Sequence, residues 1–147
     1  RTRLSSLYET SGTITPVEPI NLSGRILIVD DNAANLKAMG DQIKSTGLDI
    51  YMVQNGADAI IACQHHQFDL ILMDVQMPIM DGFEATKAIR EGQAGAHHQN
   101  TTIIALTANA MKGDRENCLE QGMNDYLSKP IDPESLQLML TKWILAK

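Results

Sequence analysis

Three short, almost unbroken apolar runs constrain this chain more than anything else in it. RILIVD (25–30), DLILMD (69–74) and TTIIAL (101–106) lead into Asp30, Asp74 and Thr107. A strand with one face in water alternates apolar and polar residues, so a continuous run must be covered on both faces, as in the middle of a parallel sheet. LDIYMV (48–53) and NDYLSK (124–129) are two further strand candidates. Helical segments are expected between and after them, at about 33–46, 56–66, 82–90, 110–121 and 133–145. Gly47 and Gly122 stand where a left-handed residue closes a helix, each followed by an apolar residue, Leu48 or Met123. Asp132 and Pro133 supply an N-cap and a first-turn proline. Leu136, Met139, Leu140 and Trp143 form a core-facing stripe on the last helix, and Ala85, Ala88 and Ile89 form one on the third.

Strands alternating with helices specify an α/β domain with a parallel sheet and right-handed crossovers. The chain has 147 residues, enough for one domain with a real core. Residues 1–23, rich in Ser and Thr with prolines at 16 and 19, show no sustained apolar period and read as a linker; the folded domain is expected over 24–147. The chain starts at Arg1 rather than Met, which suggests a piece of something longer.

The bulk composition narrows the function. A net charge of −6 argues against a nucleic-acid partner or an anionic membrane surface, both of which demand clustered Lys and Arg. No apolar run approaches the ~20 residues needed to cross a bilayer, so this fragment should make no direct membrane contact. Cys63 and Cys118 are isolated, with no metal-binding spacing; two scattered thiols that simply pack suit a reducing cytoplasm. The adjacent pairs His65–His66 and His97–His98 diverge rather than chelate and are expected on the surface. Met77, Met80 and Phe83 form a partner surface or a packed loop, two readings that the sequence leaves open.

In parallel α/β sheets the chemistry sits beyond the carboxyl ends of the strands. Those tips carry Asp30 and Asp31, Asp74, Thr107, and Lys129 followed by Pro130. A lone Asp after a strand is usually a cap, and Asp31 is placed to cap the helix beginning near Ala33. Converging carboxylates, however, repel by about 4 kcal/mol per pair at 4 Å under an effective dielectric of 20. A bound cation relieves that, and hard oxygen ligands with room for water suit Mg²⁺ or Mn²⁺. Carboxylate nucleophile, metal, lysine and hydroxyl together describe phosphoryl transfer to an aspartate.

ILIVDDN, DLILMDVQMPIMDGFEATKAIR, IIALTANA and GMNDYLSKPI resemble the signature blocks of response-regulator receiver domains, over roughly residues 24–146 and in the same order and spacing. The wording of MDVQMP and LTANAM is most similar to receivers attached to hybrid sensor histidine kinases. The resemblance implies a flavodoxin-like sheet of order 2-1-3-4-5 with five helices on its two faces. It implies Asp74 as phosphoacceptor from a phosphohistidine. Asp30, Asp31, Asp74 and the backbone carbonyl of Gln76 would hold Mg²⁺ (or Mn²⁺), Thr107 and Lys129 would contact the phosphoryl oxygens, and Tyr126 would move on switching. Implied partners are a histidine kinase core and a histidine phosphotransfer domain, and the only catalysis implied is Mg-dependent self-phosphorylation with slow autodephosphorylation. The long EGQAGAHHQNT connection departs from the pattern without touching a motif position.

Three rivals are weighed against a relay receiver. A stand-alone single-domain regulator would signal by phosphorylation-dependent partner binding. A magnesium-dependent phosphohydrolase with an aspartyl intermediate needs a second carboxylate two residues after the nucleophile, where this chain has Gln76. A degenerate receiver would lack one or more key positions, and all are present.

Overall fold

The computed structural model describes residues 23–108, 112–129 and 131–145. The expected linker therefore lies outside the described residues except for Ser23, as do Asn109, Ala110 and Met111 of the LTANAM block and Pro130. The elements are β1 (Arg25–Val29), α1 (Ala33–Lys44), β2 (Asp49–Val53), α2 (Gly56–His65), β3 (Leu70–Asp74), α3 (Gly82–Arg90), a single 3₁₀ turn (Ala96–His98), β4 (Thr102–Thr107), α4 (Lys112–Glu120), β5 (Asp125–Ser128) and α5 (Pro133–Leu145).

All five strands pair in parallel in the order β2-β1-β3-β4-β5. The three continuous apolar runs are the three central strands, and β3 is buried at every position. The edge strands β2 and β5 are partly exposed and correspondingly less apolar. Successive side chains point to opposite faces, which divides the core in two. Leu27, Val29, Ile71, Met73, Ile103 and Ala105 face α2, α3 and α4; Ile26, Ile28, Leu70, Leu72, Ile104 and Leu106 face α1 and α5. Each fully buried aliphatic side chain contributes on the order of 1.5–3 kcal/mol of transfer free energy, so the double-faced strands are the main source of stability.

Local signals behave largely as their chemistry requires. Gly122 has φ 103, and the N–H of Met123 reaches back to the Cys118 carbonyl at 3.1 Å, closing α4 and burying Met123. Asp132 accepts from the N–H groups of Glu134 and Ser135 and from the Ser135 hydroxyl, starting α5. Leu136 and Leu140 are buried, with Met139 and Trp143 packed against the same cluster. Cys63 and Cys118 are both buried.

Three expectations need correction. Asp31 does not cap α1; Asn32 does, its side chain accepting from the Asn35 N–H at 3.1 Å, because Asp31 stands one residue too early. Asp30 lies one residue beyond β1 rather than within it. The histidines are not uniformly superficial: His65 and His97 are exposed, His66 is half-buried against the Tyr51 ring, and His98 is fully buried. The long connection explains this. It folds under the sheet and places His98 over Phe68, with Nε2 against the His66 carbonyl at 3.0 Å and Nδ1 against the Thr101 hydroxyl at 2.8 Å. A carbonyl only accepts, so Nε2 donates to it, while the Thr101 hydroxyl can serve Nδ1 in either sense; both ring nitrogens of the buried imidazole have partners. The methionine loop is packed: Met77, Met80 and Phe83 lie partly buried against the core.

Candidate functional site

Strand order reverses direction between β1 and β3, which opens a crevice at their carboxyl ends. Asp30, the residue after β1, is fully buried; Asp74, the last of β3, is 4% exposed; Asp31 is exposed at the rim. One carboxylate oxygen from each lies within 4.8 Å of the others. Lys129, just past β5, places Nζ 3.1 Å from Asp74 Oδ2 and 3.2 Å from Asp30 Oδ2. Its backbone N–H donates to the Thr107 carbonyl at 2.7 Å, tying the tips of β4 and β5 together, and Thr107 is buried at the end of β4. These residues, with Asn32, Asn35, Gln76 and Phe83, border clefts on either side of Lys129, the one above Asp74 holding about 400 Å³.

The electrostatics follow from burial. Desolvation pushes the Asp74 carboxyl up to about 6; the Lys129 hydrogen bond opposes this and the neighbouring Asp30 charge adds to it. Burial by itself would lower the Lys129 ammonium, but its hydrogen bond to Asp74 and the charges of Asp74 and Asp30 outweigh burial and raise it. One ammonium therefore shares the charge of two buried carboxylates while a third stands at the rim, an arrangement with surplus negative charge. A compact, hard, divalent cation fits this donor set: carboxylate oxygens on one side and an open, polar cleft with room for water on the other.

All the candidate residues of the strand tips converge: Asp30, Asp31, Asp74, Gln76, Thr107 and Lys129 share one mouth. Tyr126 is set back from it, half-buried on β5, paired with Ala105 and packed against the α2–α3–α4 side of the core. Two contributors were missed in the sequence. Asn32 donates its N–H to Asp30 Oδ1 at 2.9 Å, and the Asn35 side-chain amide reaches Asp30 Oδ2 at 3.4 Å. The only hint in the sequence was polarity at the start of a helix, which caps show as well. Two glycines packed against the loop after β3, at the starts of α2 and α3, have a geometric reason. A Cβ on Gly82 would sit 2.3 Å from the Asp74 carbonyl oxygen, and one on Gly56 would sit 2.6 Å from the Met80 carbonyl oxygen.

Residues 26–141 match the family model of the response regulator receiver domain. The chain belongs to this family. Among curated relatives, the receiver is 44% identical over 119 residues to the sensor protein GacS of Pseudomonas syringae pv. syringae, covering 81% of this chain and 13% of that protein. The chain thus spans a small fraction of the relative's length. Among solved structures, the receiver domain of the sensor histidine kinase PA1611 from Pseudomonas aeruginosa PAO1 is 43% identical with a TM-score of 0.74, covering 83% of this chain and 98% of that one. That structure holds a magnesium ion coordinated in its active-site cleft. The receiver domain of the response regulator Ssk1, crystallised with the Saccharomyces cerevisiae histidine phosphotransfer signaling protein Ypd1, is represented by a match of 30% identity and TM-score 0.78, covering 86% of this chain and 92% of that one. The receiver described here is therefore a two-component signalling domain, similar to receivers of sensor histidine kinases.

Proposed function

We propose that this receiver takes a phosphoryl group from a phosphohistidine onto Asp74 and relays it to a histidine phosphotransfer domain, as a receiver module of a hybrid histidine kinase, with residues 24–147 as the functional unit. The observation that carries the reading is the convergence of Asp30, Asp31 and Asp74 within 4.8 Å beside the Lys129 ammonium. At neutral pH the Asp74 carboxyl, at about 6, is mostly ionised and can act as a nucleophile. An Asp74 carboxylate oxygen attacks phosphorus and the P–N bond to the donor imidazole breaks; the donor ring, already protonated at its other nitrogen, keeps that electron pair and leaves as neutral imidazole. Lys129 turns from Asp74 toward the new phosphoryl oxygens, and the Thr107 hydroxyl donates to another. Asp30, Asp31, Asp74 and the Gln76 backbone carbonyl would hold Mg²⁺ (or Mn²⁺). Bound there, the ion would neutralise charge on the transferring group. Gln76, where a phosphohydrolase has a second carboxylate, offers no strong base to a hydrolytic water, which favours storage of the phosphoryl group over turnover.

Among the described residues no helix is long and apolar enough to cross a membrane. The buried, scattered cysteines Cys63 and Cys118 support a cytoplasmic setting.

Acetyl phosphate with Mg²⁺ should add one phosphoryl group to the chain by intact mass, and Asp74→Asn should abolish the addition while keeping the fold. Robust labelling of that variant at another residue would sink the assignment. Label moving from the phosphorylated chain to a phosphotransfer protein supports the relay. Phosphate-dependent binding of another protein without transfer would favour a stand-alone regulator.

A further inference from the structure

Among the described residues, Ile79 is the one non-glycine with positive φ, at 70°. The Met80 N–H bonds to the Pro78 carbonyl at 2.7 Å, so Ile79 is the centre of a γ-turn, a rare and strained conformation. Left-handed backbone suits Gly, Asn or Asp; a β-branched residue there is a genuine outlier. Ile79 is also 82% exposed, more than any other large apolar residue described. Strain and wet apolar surface are both unfavourable for the isolated domain, and asparagine would relieve both. Neighbouring contacts hold the turn in place: the Gly56 N–H donates to the Met80 carbonyl at 3.1 Å, and the Gly82 N–H donates to the Val75 carbonyl at 2.9 Å.

The position gives these two costs a purpose. The loop leaves the sheet at Asp74 and returns at Gly82, whose backbone touches the Asp74 carbonyl. Ile79, three residues from Gly82, stands within about 11 Å of that contact. Asp74 is nearly buried, so a protein donor must press its surface onto the rim to bring an imidazole to the carboxyl. We propose that Ile79 is a specificity-determining contact for the phosphohistidine-bearing partner, packing against apolar side chains that border the partner's histidine. This rests on the reading of Asp74 as the phosphoacceptor. An aliphatic knob fixed by a γ-turn loses little freedom on docking, so its burial is returned as affinity. Hot-spot contacts of this kind sit close to the centre of an interface.

The test compares a small donor with a protein donor, using the full chain. The variants are Ile79→Asn, which fits the turn but is polar, and Ile79→Leu, which keeps an apolar tip. With acetyl phosphate and Mg²⁺, both should label Asp74 as the unsubstituted chain does, and Ile79→Asn should melt at the same temperature or higher. With a phosphotransfer protein that exchanges phosphate with the unsubstituted chain, Ile79→Asn should slow exchange about tenfold through a higher KM, while Ile79→Leu restores it. Equal exchange by Ile79→Asn overturns the inference and leaves the Asp74 reading intact, as does an equal loss with both donors. An unsubstituted chain that exchanges with no phosphohistidine protein removes the relay reading and this inference together.

Discussion

Asp74 holds its proton more tightly in the folded chain than a carboxyl does in water, and that has a measurable sign. Its folded value of about 6 stands above the usual 3.8, chiefly through burial. Such a group contributes stability that is present in full below about pH 4 and is lost as pH rises through about 6. In metal-free protein, Asp74→Asn should therefore melt above the parent at pH 7, by a few degrees, with the gap closing toward pH 4; calorimetry at both values checks it. A gap that widens on acidification would reverse the assignment of cause. Asp31→Ala should weaken Mg²⁺ binding, because Asp31 supplies one of the three clustered carboxylates. The same variant should leave the metal-free protein equally or more stable, since it removes like-charge repulsion at the rim. Mg²⁺ raises the melting temperature by mass action, so the shift at fixed Mg²⁺ should shrink in this variant.

Among elements, the long connection between α3 and β4 is clasped at its far end by Arg90. Arg90, in the last turn of α3, donates to the Gly122 carbonyl at 2.9 Å, to the Gln99 and Thr101 carbonyls at 3.0 and 2.7 Å, and to Asn124 Oδ1 at 2.8 Å. Asn124 Oδ1 also accepts the Ile103 N–H at 2.8 Å, so a single guanidinium joins α3, the connection and the starts of β4 and β5. Arg90→Leu leaves several acceptors short of a charged donor, each hydrogen bond to such a group being worth about 1.5–3 kcal/mol. The expected loss is about 2–4 kcal/mol in urea unfolding, with acetyl phosphate labelling of Asp74 retained because the clasp lies at the opposite end of the strands. Loss of labelling in folded Arg90→Leu would show that the clasp positions the site as well.

At the scale of the molecule, the same sheet joins the acidic mouth to the surface around β5. Thr107 ends β4, and Ala105 two residues earlier pairs with Tyr126 on β5. On the proposed phosphorylation of Asp74, the phosphoryl group would add close to two negative charges within reach of Thr107 and Lys129, contacts that would exist only in the modified state. Movement of Thr107 toward it should open room for Tyr126 to turn inward and remodel the surface between α4 and β5. Beryllofluoride with Mg²⁺, a phosphoryl mimic, should shift the NMR resonances of Tyr126 and its neighbours on β5. Shifts confined to the strand tips would disprove this coupling.

The α/β class, the three central strands and the gathering of polar groups at the strand tips were legible from the residues. Continuous apolar runs are possible only where both faces are covered, and a charge at the end of such a run marks where the sheet opens to solvent. The helix boundaries set by Gly122 and by Asp132 with Pro133 were legible because those residues act on the backbone beside them. Strand order and site residues came from the resemblance of the motifs rather than from periodicity. What remained illegible depends on groups far apart in sequence. His98 is buried only because the connection folds under Phe68, and adjacency to exposed His97 gave no hint of it. Arg90 reads as an ordinary last-turn base until two separate segments, the α3–β4 connection and the α4–β5 turn, present four acceptors to it. The γ-turn at Ile79 defies local preference, because contacts of its loop with Gly56 and Val75 override the backbone bias of a β-branched residue. Local chemistry could be read along the chain; the partners of a buried or strained group were chosen by tertiary contact, which brings together segments that no local pattern links.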